Sequence, residues 1–320
     1  MTMMSQKDFA GSPPPALDLP ALDLDAHFAG DEPTLFARIA RWAGPILSVA
    51  MLVAILTQAR GVDYRQLLTL PTQPLFWAAW AISYLATPVS EWIIYRRLWT
   101  IPPDGLIALL KKQVSNELLL GYLGDAQFYL WARARTDMTG TPFAAVKDVS
   151  ILSAMAGNAA TLLLLLVSWP YLAQAQVGVE MRTILVSLGV MLASSILVFA
   201  FRKRLFSLPR ASLYFVTAVH LARIAVGLAV LALAWSLLLP GLAFSWLLLL
   251  AMLRMLVSRL PLLPNKDIVF AALTMLLLGA NGGVGTATTQ IAVITLAGHI
   301  AIGLAILVRD GALWRRGAAQ

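Results

Sequence analysis

The chain of 320 residues is 59% apolar and only 12% charged, where an ordinary soluble protein is roughly 45–50% apolar and about 25% charged. That deficit of charge excludes a soluble globular domain, and recurring apolar runs of about 18 residues or more predict an all-α, polytopic membrane protein. Cysteine is absent, which excludes a disulfide framework, a cysteine zinc site and a thiol nucleophile.

The net charge of +8 is uneven. Residues 1–37 set Lys7 against Asp8, Asp18, Asp23, Asp25, Asp31 and Glu32, a net of −5 that leaves +13 to the remainder. The segment also holds Gly11-Ser-Pro-Pro-Pro15 and two near-copies of Ala-Leu-Asp-Leu, so it is expected to be a disordered, acidic, water-facing tail. It lacks the basic start and apolar stretch of a secretory signal. The organisation predicted is this tail, a helical membrane domain over 38–310 and a short cytoplasmic tail over 311–320. Basic residues in membrane loops set orientation and meet anionic lipid, so no nucleic-acid partner is expected.

Apolar segments suited to spanning run over 42–59, 74–95, 149–172, 183–201, 213–239, 242–257 and 287–308. Two more are interrupted: 105–132 by Lys111, Lys112, Glu117 and Asp125, and 260–280 by Pro261, Pro264, Lys266 and Asp267. Arg38 and Arg41 before the first span, Arg96 and Arg97 after the second, and Arg202-Lys203-Arg204 after the fourth place the N-terminus in the cytoplasm. If 105–132 crossed fully, Arg133, Arg135 and Lys147 would land outside, so this segment is expected to re-enter on the cytoplasmic side. A full crossing at 260–280 returns Arg309, Arg315 and Arg316 to the cytoplasm. The expectation is about eight transmembrane helices plus one re-entrant or broken helix, in a bacterial cell membrane.

Ionisable groups at bilayer depth cost about 2.5–3.5 kcal/mol each on insertion scales and face a bundle interior or a wet cavity. The densest set is Asn116, Glu117, Gly121, Gly124 and Asp125. The two glycines permit a sharp reversal or close helix approach, and unwound backbone at depth needs protein or a cavity to satisfy it. An amphipathic helix on the cytoplasmic surface is the other reading. His220 and Arg223 share one helical face, with Arg223 about 15 Å into the fifth clear span. Arg223 either pairs with a buried acid such as Glu91 or binds a phosphate or other anion. Arg254 reads as a headgroup anchor and His299 as a hydrogen-bonded packing residue. Three scattered histidines suggest no metal site, and no cofactor is expected. Asn281-Gly-Gly-Val-Gly285 reads as an outer loop rather than a phosphate loop, since no Lys-Ser/Thr follows. Pro264-Asn265-Lys266-Asp267 breaks a helix and offers charge, either within the membrane or as a short cytoplasmic turn.

Asn116, the leucine run 118–120, Gly121, Gly124-Asp125 and the Arg133/Arg135 pair resemble a motif of the flippase-like family named for the lysylphosphatidylglycerol synthase transmembrane region. Leu260-Pro261-Leu-Leu-Pro264-Asn265 is similar to a second element of that family. Leu120 stands where the family has proline, Asp125 where it has glutamate, and Asn265-Lys266 where it has two glycines. The family's later glutamate has no clear counterpart, Asp267 being displaced. The resemblance implies a helical bundle whose broken helices meet near a lipid-accessible site, through which an anionic or glycosylated lipid headgroup moves between leaflets. Arg223 and Lys266 would then contact phosphate, and Glu117 and Asp125 would orient those cations, bind a headgroup amine or hydroxyl, or carry a proton. In such synthases aminoacyl transfer belongs to a separate soluble domain, which this sequence does not show, so an enzyme is not expected. The competing expectation is a non-transporting scaffold or regulator with an envelope-assembly protein as partner.

Overall fold

The computed structural model describes residues 69–119, 123–134, 142–174, 206–259, 265–278 and 283–317, with 189 and 193 as isolated positions. These residues form eight helices and no strand. They are α1 Pro74–Trp99, α2 Gly105–Leu118, α3 Leu123–Arg133, α4 Pro142–Gln174, α5 Arg210–Leu238, α6 Phe244–Ser258, α7 Lys266–Leu278 and α8 Val284–Gly317. The expected spans over 74–95, 149–172 and 287–308 fall within α1, α4 and α8, and that over 213–239 overruns the end of α5 by one residue. The tail over 1–37, the spans over 42–59 and 183–201, and Gly121 lie outside the described residues.

Local chemistry sets the helix ends. Pro74 opens α1, where a missing N–H costs nothing, and left-handed Thr100 (φ 53°) closes it, donating its N–H to the Arg96 carbonyl at 3.0 Å. Arg96 and Arg97 occupy the last turn, suiting the negative end of the helix dipole. Inside α1, Pro88 cannot donate to the Tyr84 carbonyl four residues back. The side-chain amide of Gln113 on α2 donates to it instead, at 3.1 Å. Segment 105–132 divides into α2 and α3, which pack against each other, so the interrupted reading of that region holds.

Hydrogen bonds between helices fix their directions. Trp80 donates to Thr295 at 3.1 Å, and Tyr84 Oη bonds His299 Nδ1 at 2.8 Å. Equal steps along both chains make α1 and α8 parallel. Arg223 bonds Thr87 while Arg97 stacks on Phe215 at 4.2 Å, so α5 runs opposite to α1. Ser168 donates to the Leu248 carbonyl, and Arg259 to that of Ala154, so α6 runs opposite to α4. Asp148, fully buried, accepts the N–H groups of Ser207 and Leu208 at 2.7 and 2.8 Å, fixing the entry to α5 beside the start of α4. These relations gather Arg96, Arg97, Arg133, Lys147, Arg210 and Arg309 at one end of the bundle. At the opposite end the turn through Pro240 and Gly241 (φ 89°) carries no charge.

Among the described residues three helices are long and apolar enough to cross a membrane: Ala144–Tyr171, Arg210–Leu238 and Val284–Ala312, of 28, 29 and 29 residues. Each is about 42 Å long against a hydrocarbon core of roughly 30 Å. Their outward faces are apolar, with Leu166 and Val308 each 73% exposed, while polar side chains point inward. That inversion of the soluble pattern is what a lipid solvent requires. The larger of the apolar clusters in the interior lie one around Phe76, Trp235 and Phe270 and one around Tyr95, Phe128 and Val216.

The helices α6 and α7 have 15 and 13 residues, so they reach only about 22 and 20 Å. Lys111 pairs with Asp310 at 3.0 Å at the basic end of α8. Asp267, at the start of α7, lies within electrostatic reach of His299, eleven residues and so about 16 Å back along α8. The break between α6 and α7 therefore stands at mid-height of α8. Among the described residues neither helix extends to the level of Asp310, so a full crossing over 260–280 is not shown, and of the two readings of Pro264-Asn265-Lys266-Asp267 the break within the bundle agrees with this placement.

Candidate functional site

Two polar clusters occupy the interior, one at each helix break. The first is built around Lys112, a residue only 5% exposed. Its ammonium bonds Glu91 of α1 at 2.8 Å and Asp125 of α3 at 2.9 Å. Asp125 also accepts from Asn116 at 3.0 Å and from Ser150 of α4 at 3.1 Å. Asn116 in turn accepts the Gly124 N–H at 2.7 Å, capping the start of α3. Alongside, Ser115 donates to Gln127 at 2.8 Å.

Arg223 closes the arrangement from α5. Its guanidinium donates to Thr87 of α1 at 3.0 Å and to Ser153 of α4 at 3.2 Å. Thr87 lies one turn from Glu91, and Ser153 one turn from Ser150. The path Arg223, Thr87, Glu91, Lys112, Asp125, Ser150, Ser153 and back to Arg223 is thus a circuit through five helices. Two cations and two carboxylates share it, so their formal charges cancel. Of the two roles expected for Arg223, the direct pair with Glu91 is not formed: Glu91 is bonded to Lys112, and Arg223 senses Glu91 only through space.

The second cluster joins the breaks themselves. Asn265, in the left-handed region at φ 44°, donates its N–H to the Glu117 carbonyl at 3.1 Å and accepts the Ile268 N–H on its Oδ1 at 3.3 Å. The Glu117 carboxylate accepts the Lys266 N–H, placing negative charge at the N-terminus of α7. Lys266 Nζ donates to the Ser258 carbonyl at 2.9 Å, placing positive charge at the C-terminus of α6. Arg254 Nε and Nη2 both bond one oxygen of Asp267, at 3.1 and 2.7 Å. Orphan groups that the α6–α7 break exposes are therefore satisfied by Glu117 from the other break and by Lys266 and Asn265 of their own.

Of the residues singled out in the sequence, Asn116, Gly124, Asp125 and Arg223 meet in the first cluster, and Glu117, Lys266 and Asp267 in the second. Gly124 serves close approach: a Cβ there would run into the Lys112 carbonyl and lie 2.8 Å from Asn116 Oδ1. Asp125 orients Lys112, not Arg223, and Lys266 holds backbone. Arg254 is corrected from a headgroup anchor to the partner of Asp267. His299 is the hydrogen-bonded residue expected, through Tyr84. Sequence reasoning missed Lys112 as the hub and Pro88 as the donor gap that Gln113 fills. A lysine beside a second lysine, five residues before Glu117 at the break, and a proline inside a span were the available signals. Among the described residues, no group of His, Asp or Glu is placed to hold a metal ion.

No family model matches the chain, and no curated protein or solved structure is significantly similar to it. The class that the fold defines is that of a helical protein in which, among the described residues, three helices are fit to cross a membrane.

Proposed function

We propose that this protein is a flippase-like membrane transporter that carries an anionic or glycosylated lipid headgroup between leaflets, as the resemblance to the lysylphosphatidylglycerol synthase transmembrane region implies. The observation that carries the reading is the bond between Glu117 and Asn265, because it brings two interrupted helices tip to tip. Broken helices whose ends meet inside a bundle are the usual architecture of substrate sites in membrane transporters.

With the basic end of the bundle in the cytoplasm, α2 and α3 form a hairpin entering from the cytoplasm, and α6 and α7 one entering from outside. The short lengths of α6 and α7 favour this second hairpin over two of the eight crossings expected from sequence, giving six crossings with those over 42–59 and 183–201. The N-terminus remains cytoplasmic, as the charge pattern requires. Charged side chains between the hairpin tips replace headgroup water, while acyl tails stay against the apolar exterior.

The test is reconstitution of the full chain into phosphatidylcholine vesicles carrying a headgroup-quenchable fluorescent phosphatidylglycerol. Quenching from outside is expected to go beyond the outer-leaflet fraction, faster than in empty vesicles. Quenching confined to the outer leaflet, with no lipid retained in native mass spectra, would favour the scaffold reading instead.

A further inference from the structure

The charged circuit leaves a surplus of donors in its interior. His220 stands on α5 one turn before Arg223, is 1% exposed, and has no hydrogen bond on either ring nitrogen. The Val149 backbone faces the imidazole without completing a bond, and Arg223 and Lys112 act on it electrostatically. The hydroxyl of Tyr95, fully buried within reach of Lys112, Glu91 and Asp125, is also unbonded. So is Nε of Arg223. Buried polar groups are ordinarily satisfied, and leaving one unmade costs about 1–3 kcal/mol. Three such groups around one circuit point to a missing acceptor.

We propose that this interior is a subsite for a phosphate-bearing anion, held by Arg223 Nε, the Tyr95 hydroxyl and the imidazole of His220, which takes up a proton from water as the anion enters. The charge arithmetic supports the proton. Glu91 and Asp125 cancel Lys112 and Arg223, so an anion alone would leave uncompensated negative charge in a site shielded from water, which is costly. A proton on His220 restores neutrality and converts both ring nitrogens to donors. The groups facing His220 are Arg223 on its own helix and Lys112 on α2, with Glu91 and Tyr95 from α1 and Asp125 from α3 bonded or adjacent to Lys112. The empty circuit is already neutral without that proton, so protonation awaits the anion. The subsite rests on the lipid-transport reading, and it adds a coupling proton to it.

The chain has three histidines, so ring-nitrogen NMR of histidine-labelled protein resolves them, with His220→Gln assigning the signal. Full-length protein in phosphatidylcholine nanodiscs should show His220 neutral at neutral pH. Phosphatidic acid in the nanodisc should convert it to imidazolium, and Arg223→Gln should weaken the response by at least about tenfold. Inorganic phosphate added to phosphatidylcholine discs is the second arm, and a response to it alone would identify free phosphate as the ligand of the same site. If Arg223→Gln does not fold, the wild-type titrations decide by themselves. A His220 signal unmoved by either probe would overturn the subsite, and lipid movement in vesicles of the same preparation would then leave the transport reading standing. A His220 response without lipid movement would support the subsite and remove transport.

Discussion

Gly124 and Lys112 bring the backbones of α2 and α3 into close approach, the carbonyl of Lys112 occupying the space where a Cβ on Gly124 would lie. This contact lets Asp125 reach the Lys112 ammonium and Asn116 reach the Gly124 N–H. Gly124→Ala must push the two helices apart against backbone, so it should destabilise by about 1–3 kcal/mol or more. Gly303→Ala is the control, since its Cβ would meet only the Val114 side chain at 3.3 Å. Thermal unfolding in detergent should show a clear loss for the first and little change for the second. Equal melting temperatures would refute the close-approach account.

Lys112→Met should be among the most damaging single changes. It strands Glu91, 8% exposed, and Asp125 without their shared cation, and breaking such a buried pair costs about 3–5 kcal/mol. Adding Glu91→Gln and Asp125→Asn to that variant should recover part of the loss. No recovery in the triple variant, measured by thermal unfolding, would mean the charges are not the cause.

For Arg223 the expected pattern follows from its hydroxyl partners. Arg223→Lys keeps charge but cannot reach Thr87 and Ser153 together, so a moderate loss of stability is expected. Combining Arg223→Leu with Glu91→Leu rebalances the formal charges on Lys112 and Asp125 but takes one of two carboxylates from Lys112, so its stability should stay near that of Arg223→Leu alone. Rescue by that double change would instead restore the direct Arg223–Glu91 pair.

Topology can be read by single-cysteine labelling, because the chain has no native cysteine. With an impermeant maleimide, Thr100→Cys and Gly311→Cys should react only from the cytoplasmic side, and Gly241→Cys only from outside. Ser258→Cys, at the mid-height break, should be protected from the cytoplasmic side. Fast cytoplasmic labelling at 258 would restore the turn and the crossing over 260–280.

Helical class, the long apolar helices and the interruption between α2 and α3 were legible because each is a local property: composition, run length, and charges beside glycine. The depth of Asn265 was not, since Pro264-Asn265-Lys266 has the same composition in a surface turn as in a buried break. Only its bond to Glu117, 148 positions away in the chain, separates the two. The same limit hid the partner of Glu91. Lys112 and Arg223 are both cations that one buried acid accepts, and the choice depends on which helix faces α1 at that level. Arg254 misled for a similar reason, its nearness to Arg259 suggesting a surface that the pairing with Asp267 replaces.

Lys111 and Lys112 are neighbours on α2, yet one pairs with Asp310 where both side chains are more than two-fifths exposed and the other pairs with Glu91 where both are nearly enclosed. Mobile ions reach the first pair and not the second, because salt screens exposed charges within about 8–10 Å while enclosed ones are shielded from it. A rise in ionic strength therefore loosens the tie between α2 and α8 and leaves the tie of α2 to α1 and α3 in place. From two neighbouring lysines α2 thus takes one anchor that answers to the salt of the surrounding solution and one that does not.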